Sequence, residues 1–179
     1  MLEKLGASHL ASEGFEVQRT NNFEIQIENV SKSRILTLAV VSGFLPSESN
    51  DVISLNYGNT TITVAGKANV NNSGTLVVRD LVQEDVERMI DEWRSSVYNK
   101  ETDAIGFAAD YKKPAKVTQS APDGTLLRVW DLDGVWPSAV DYGQVSYENA
   151  GVKTISITLQ YDKARINRDE YNTSLSTIG

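Results

Sequence analysis

Asp131 and Asp133, in the run Asp131-Leu132-Asp133-Gly134, are the carboxylates with the most suggestive spacing in this sequence. Alternate acids ahead of a glycine open a calcium loop, where oxygen ligands wrap a hard cation. The bidentate Glu that closes an EF-hand loop is missing, and strand patterns rather than helices flank the run. It reads as a turn with solvated carboxylates. The other acidic pairs are Glu84-Asp85 and Asp91-Glu92. Paired carboxylates cut glycosidic bonds only when opposed across a cleft, and both pairs fall on the polar face of one helical stretch. Lys112-Lys113, beside Tyr111 and Pro114, is a basic spot too short to argue for nucleic acid. There is no Cys and a single histidine, His9. Disulfides, thiolate chemistry, zinc sites and Ser-His-Asp triads therefore have almost nothing to be built from. The glycines are scattered, with neither a phosphate-cradling loop nor a dinucleotide fingerprint. An enzyme would have to run on carboxylates, Lys or Tyr. The sequence reads as non-enzymatic, with no catalytic, cofactor or metal residues.

The 179 residues are 40% hydrophobic, which suits one domain with a genuine core. The formal charge is −7 and the pI is about 4.8. So acidic a chain is not built to grip phosphate backbones, because that affinity rests on Lys and Arg displacing counterions. It suits a surface to which DNA does not stick. No apolar run approaches the ~18–20 residues that cross a bilayer. The first ten residues lack the apolar core of a signal peptide, so synthesis and folding in a cytoplasm are expected.

The elements that would position these residues are mostly strands. Phe23-Glu24-Ile25-Gln26-Ile27-Glu28 alternates apolar and polar, the period of a half-buried strand. Arg34 to Val41 reads as a second strand, ended by Gly43 and Pro46. Pro46 to Asp51 has weak core patterning. Val52-Ile53-Ser54-Leu55-Asn56-Tyr57 and Thr60-Thr61-Ile62-Thr63-Val64-Ala65 then flank a Gly58-Asn59 turn and read as a hairpin. Gly74 to Arg79 is another strand. Val82, Val86, Met89, Ile90, Trp93 and Val97 recur at helical spacing and predict one amphipathic helix over about 81–98. Asp80 is its expected N-cap with Gln83 in a capping box, and Glu84 and Asp85 suit the positive end of its dipole. Strands return at Ala115–Thr118, Leu126–Trp130 and Val152–Tyr161. In the last, Ile155, Ile157, Leu159 and Tyr161 share one face. Trp136-Pro137 reads as core plus turn. The expectation is a mainly β fold with one α-helix, a β-sandwich or barrel. It divides into an N-terminal arm (1–18), in which Leu2, Leu5 and Leu10 suit a short helix or an extended arm, a β domain (19–162) and a polar C-terminal tail (163–179) containing Arg165, Asn167, Asp169 and Asn172.

A resemblance rests on these same residues. Trp93, then Val97-Tyr98-Asn99-Lys100-Glu101-Thr102-Asp103-Ala104-Ile105-Gly106, then Tyr111-Lys112-Lys113, resemble the helix exit and following loop of contractile-phage tail tube proteins, the T4-like group. Leu132-Asp133-Gly134-Val135-Trp136-Pro137 and Ile155-Ser156-Ile157-Thr158-Leu159-Gln160-Tyr161-Asp162 continue it. Arg19 to Ile27 is similar to that family's first strand, and Gly43-Phe44-Leu45-Pro46 and Val64-Ala65-Gly66 to the two ends of its long hairpin. The arm and the tail are longer than the family pattern.

The resemblance implies a late structural virion protein with a protruding hairpin and terminal arms. Six copies would close a homohexameric ring through sheet edges, and rings would stack into a tube inside a contractile sheath. Tail sheath, tape-measure, baseplate and tail terminator proteins would be its partners. Genomic DNA would pass through during ejection without specific binding, and no membrane is involved. Localisation would be the virion, after assembly in the host cytoplasm. The hairpin, about Leu45 to Gly66, would reach the next ring, which makes Asp51, Ile53, Leu55, Tyr57 and Asn59 candidate stacking residues. Trp93, Trp136, Pro137 and Tyr161 would define the fold. A lone hairpin is marginal in water, so a partner surface would explain its apolar residues; folding back on its own sheet would be the other explanation. The competing functions are a tube protein of a related injection or secretion system, a baseplate-end or terminator-end tube protein, a monomeric carbohydrate-binding β-sandwich with exposed aromatics such as Trp130 and Trp136, and a carboxylate hydrolase.

Overall fold

Ile25 and Ile27 are buried while Glu24 and Gln26 face water, so the expected alternation is realised in strand β1, Phe23–Ile27. The structure is a computed structural model that describes residues 18–28, 30, 33–83, 85–148 and 151–167. His9 and the arm around Leu2, Leu5 and Leu10 lie outside those residues, as do Glu84, Asp169 and Asn172.

The next segment departs from expectation. Arg34 to Val41 is not one strand: helix α1, Ser33–Ala39, comes first, and only β2, Val40–Ser42, is extended. Leu36 and Ala39 are buried, but Leu38 is 74% exposed. A strand would have placed Leu36 and Leu38 on one face, whereas a helix groups residues three and four apart.

The remaining strands are β3 (Ser47–Tyr57), β4 (Thr60–Asn71), β5 (Ser73–Arg79), β6 (Tyr98–Asn99), β7 (Ala104–Ile105), β8 (Lys113–Ser120), β9 (Leu126–Asp141), β10 (Thr154–Gln160) and β11 (Lys163–Ile166). Helix α2 spans Val86–Val97 and a short α3 spans Ala108–Tyr111. The fold is mainly β, as expected, with three helices among the described residues rather than one.

Seven strands form a sheet in the order β1-β8-β9-β10-β5-β2, with β11 also paired to β9. The 16 residues of β9 serve both halves of this sheet. Its first part pairs with β8 and β11, and Trp136 to Asp141 pairs with β10. Between them Gly134 takes φ 67, a conformation that side chains disfavour. A Cβ there would lie 2.2 Å from Asp162 Oδ2. Bent in this way, the sheet curls into a half-barrel with β1 and β2 at the two ends of its strand order and β11 as a third edge along the first part of β9.

Asp131 to Gly134 is therefore a bend inside a continuous strand, not the expected turn. Its carboxylates hold β11: Arg165 Nη2 donates to Asp133 at 2.6 Å, and Asn167 Nδ2 to Asp131 Oδ2 at 3.0 Å. Sheet pairing thus extends past the boundary expected after Asp162.

Helix α2 buries Val86, Met89, Ile90 and Trp93 in a core shared with Ile155, Ile157, Leu159 and Tyr161, and Val97 is buried at its end. Each such side chain contributes on the order of 1.5–3 kcal/mol. The helix begins later than expected. Val82 is fully exposed, and Asp85, not Asp80, is the N-cap, accepting from Arg88 N at 3.1 Å. Asp80 has other work: its Oδ1 accepts from Glu87 N at 3.4 Å and its Oδ2 from Lys153 Nζ at 3.2 Å. Lys153 also bonds Glu87, so the start of α2 is tied to the residue before β10.

Candidate assembly surface

Strands β3 and β4 pair only with each other and form a separate two-stranded sheet. Eleven and twelve residues long, they make a hairpin of roughly 35–40 Å at ~3.3 Å per residue. It runs from Ser47 to Asn71, so its second strand ends five residues past the expected Leu45 to Gly66, and the weakly patterned Ser47 to Asp51 is strand too. Every residue of β3 is exposed. Gly58, at φ 60, begins the two-residue turn, as a type II′ hairpin requires.

The register gives the outer half of this hairpin two unlike faces. Ile53 pairs with Val64, Leu55 with Ile62 and Tyr57 with Thr60, so five large apolar side chains share one face. Val52–Ala65, Ser54–Thr63 and Asn56–Thr61 form the other, where Thr61 Oγ1 donates to Asn56 Oδ1 at 3.0 Å. Among the stacking candidates, Ile53, Leu55 and Tyr57 come together on the apolar face. Asn59 sits in the turn. Asp51 sits at a bulge, its carboxylate accepting from Asn69. Ile62 and Val64 complete the patch and were not singled out from sequence, although the Thr-Ile-Thr-Val alternation carries that signal.

The root of the hairpin is anchored to the sheet. The buried Tyr161 donates its hydroxyl to Asn71 O, and its N–H bonds Asn72 O at 2.9 Å. Its ring stacks on Phe44 at 5.9 Å and 11°. Phe44 in turn lies over Gly74, where a Cβ would be 2.1 Å from the ring. Burial raises the Tyr161 pKa, and nearby Glu48 adds to the shift.

The other fold-defining candidates are structural in their surroundings. Trp93 is buried and its Nε1 donates to Tyr111 O at 2.8 Å. Trp136 meets the Tyr111 ring edge-on at 5.8 Å. Pro137 is buried inside β9, not at a turn. It sits beside a register shift opposite Thr158 and Leu159, the kind of place where a strand tolerates a missing N–H. Ser138, at that shift, donates its hydroxyl to Thr158 O at 3.0 Å.

Of the candidate charged residues, Lys112 pairs with Asp162 at 2.7 Å. Asp91 accepts from Tyr142 at 3.1 Å, and Asp85 pairs with Arg88. Among the described residues no group of three or more His, Asp or Glu side chains converges as a metal site, and no helix is long and apolar enough to cross a membrane.

Between the sheet edges lies an open groove of about 990 Å³, lined by β1, α1, β2, β8 and the residues leading to the hairpin. The edges touch where Gly43 meets Ile25; a Cβ on Gly43 would lie 2.1 Å from Ile25 Cδ1.

No protein-family model matches the sequence, and no curated relative does. Solved structures do match. A chain of the sheath-tube complex of PVC, an extracellular contractile injection system, in the extended state superposes with a TM-score of 0.62 at 16% identity, covering 92% of this chain and 99% of that one. The sheath/tube terminator of the same system gives 0.63 at 15% identity, with 85% and 97% covered. The tube-terminating cap of the anti-feeding prophage gives 0.62 at 15%, with 85% and 91% covered. At such identities the likeness is one of fold, and this chain has the mainly β, half-barrel fold of contractile-tail tube-type proteins.

Proposed function

We propose that this chain is a structural subunit of the inner tube of a contractile tail, built from stacked rings of six copies. The observation that carries the reading is the hairpin. A 35–40 Å ribbon with a patch of five apolar residues at its outer end has no role in a monomer and costs solubility. It suits contact with another copy. Strands β1, β2 and β11 each pair on one side only among the described residues, which leaves sheet edges for lateral pairing within a ring. The net charge of −7 suits a channel along which a genome or other acidic cargo slides. Sheath, tape-measure, baseplate and terminator proteins are the partners this role requires, and the assembled tail is its location. Phage tail and injection-system tube are the two settings of this one role.

A second reading within the same class is a tube terminator, favoured because the terminator and cap chains match as well as the sheath-tube complex does. A carbohydrate-binding module is disfavoured by the tryptophans. Trp130 packs against the core and Trp136 against Tyr111, so neither offers an open platform. Sedimentation velocity over a range of concentrations separates these readings. A tube subunit polymerises without a fixed size, a terminator stops at one ring, and a binding module stays monomeric.

A further inference from the structure

We propose that the outward face of β2, β5, β10 and the second part of β9 lines the channel of the assembled tube, as a wall with no net charge and no exposed large apolar side chain. The proposal rests on the tube reading above and assigns one surface of the subunit to the bore. In β10, Ile155, Ile157 and Leu159 point into the core that α2 covers. The alternate residues Thr154, Ser156 and Thr158 therefore face away from it. The register sets Thr75 and Ala139 beside Thr158, and Val77 beside Ser156. All six are exposed or half-buried. Only Arg79 and Asp141 bring charge to this face, of opposite sign, beside Thr154 and Ser156 at one end of it.

Exposed large apolar residues stand on the hairpin, at Leu38 and Leu45, at Ile105 and Phe107, and at Val82, Val145 and Val152. None stands on this sheet face. Assembly covers apolar surface, so the face without any is the one that stays wet. Val82, Val145 and Val152 belong to the two loops tied together and to α2, where Asp80 N–H bonds Lys153 O at 3.0 Å and Tyr142 bonds Asp91. That makes the α2 side a contact side and leaves the sheet face for the bore. The strand count fits a closed wall. Among the described residues β2 pairs only with β5, and Trp136 to Asp141 only with β10, so the unit is open on both flanks. Four strands from each of six copies, ~4.8 Å apart, make a bore roughly 37 Å across at the backbone. The acid surplus stays behind this wall. Helix α2 and its approach hold Asp80, Asp85, Glu87, Asp91 and Glu92 against Arg88 and Arg94. Repulsion from there keeps an acidic cargo off the wall, and the hydroxyls offer it no charge to pair with.

The absence of Cys makes accessibility mapping clean. Full-length Thr75→Cys and Ala139→Cys proteins would be assembled into tubes, with Ser95→Cys on the exposed side of α2 as the outer reference. Each would be treated with N-ethylmaleimide, and separately with a maleimide-coated gold particle wider than the bore. Both face positions should take the small reagent in tubes and lose the particle labelling that they show as free subunits, while Ser95→Cys takes both. Thr158→Lys tubes should hold an added oligonucleotide against nuclease at least about tenfold better than wild-type tubes. Particle labelling of either face position in tubes, or no labelling there by the small reagent, overturns the channel wall and leaves the tube reading standing. So does loss of assembly in both thiol variants where the wild type still forms tubes, since swaps this small matter to assembly only in a contact. Wild-type tubes that retain the oligonucleotide as well as Thr158→Lys tubes do overturn the uncharged wall. Failure of the wild type to assemble under any condition overturns the wall and the tube reading together.

Discussion

The hydroxyl of Tyr161 donates to the backbone carbonyl of Asn71, joining the end of β10 to the last residue of β4. That bond, the stack on Phe44 and the bare backbone at Gly74 hold the foot of a hairpin whose strands, among the described residues, pair only with each other. The domain thus has an anchored root and an exposed hairpin, the division of labour expected of a subunit that presents a contact away from its core.

Tyr161→Phe is expected to keep the stack and lose the bond. Losing this part-buried bond costs about 0.5–1.5 kcal/mol, which lowers Tm by roughly 2–4 °C per kcal/mol in a domain of this size. Faster hydrogen exchange confined to the inner ends of β3 and β4 would show that the loss falls on the hairpin root. Uniform exchange changes across the sheet would assign Tyr161 to the core alone.

Gly74→Ala places a methyl 2.1 Å from the Phe44 ring. The ring must leave Tyr161 or the strand must shift, at about 1–3 kcal/mol. Urea denaturation measures this directly. An unchanged midpoint would mean that Phe44 is not held over Gly74.

Alkaline pH should weaken the fold. Burial, with Glu48, raises the Tyr161 pKa, and the hydrogen bonds that Lys153 donates to Glu87 and then Asp80 raise its own. The native state therefore holds both protons more tightly than the unfolded chain does. Their stabilisation is complete below the unfolded values, about 10 and 10.4, and is lost as pH rises through the native ones. Urea midpoints should fall beyond about pH 10, with a smaller fall in Tyr161→Phe. An identical fall in that variant would remove Tyr161 from this account.

Removing Val52 to Ala65 should leave the circular dichroism spectrum of the half-barrel and abolish polymerisation, because the deleted residues contribute nothing to the core. An unfolded deletion variant would show that the hairpin supports the domain instead.

Much of this was legible in local pattern, and what was not depends on distant partners. The alternation in Ile155–Tyr161 and the stripe on α2 are strong periodic signals, and both are buried as their periods demand. Leu36-Thr37-Leu38 misleads because a short apolar run fits either period, and only the exposure of Leu38 decides for helix. Asp131 to Gly134 has turn composition, yet Arg165 and Asn167 recruit its acids into strand pairing from more than thirty residues away. Val82 stands four residues before Val86 by coincidence and stretched the expected helix by a turn. The edge groove has no sequence signature, since it exists only when β1 and β2 meet across the curled sheet.

Negative-stain electron microscopy of the purified full-length protein, taken from dilute to high concentration, tests the central claim most directly. Rings of six subunits, stacking into hollow tubes as concentration rises, are the predicted result. Isolated monomers in every field, at every concentration, would contradict it.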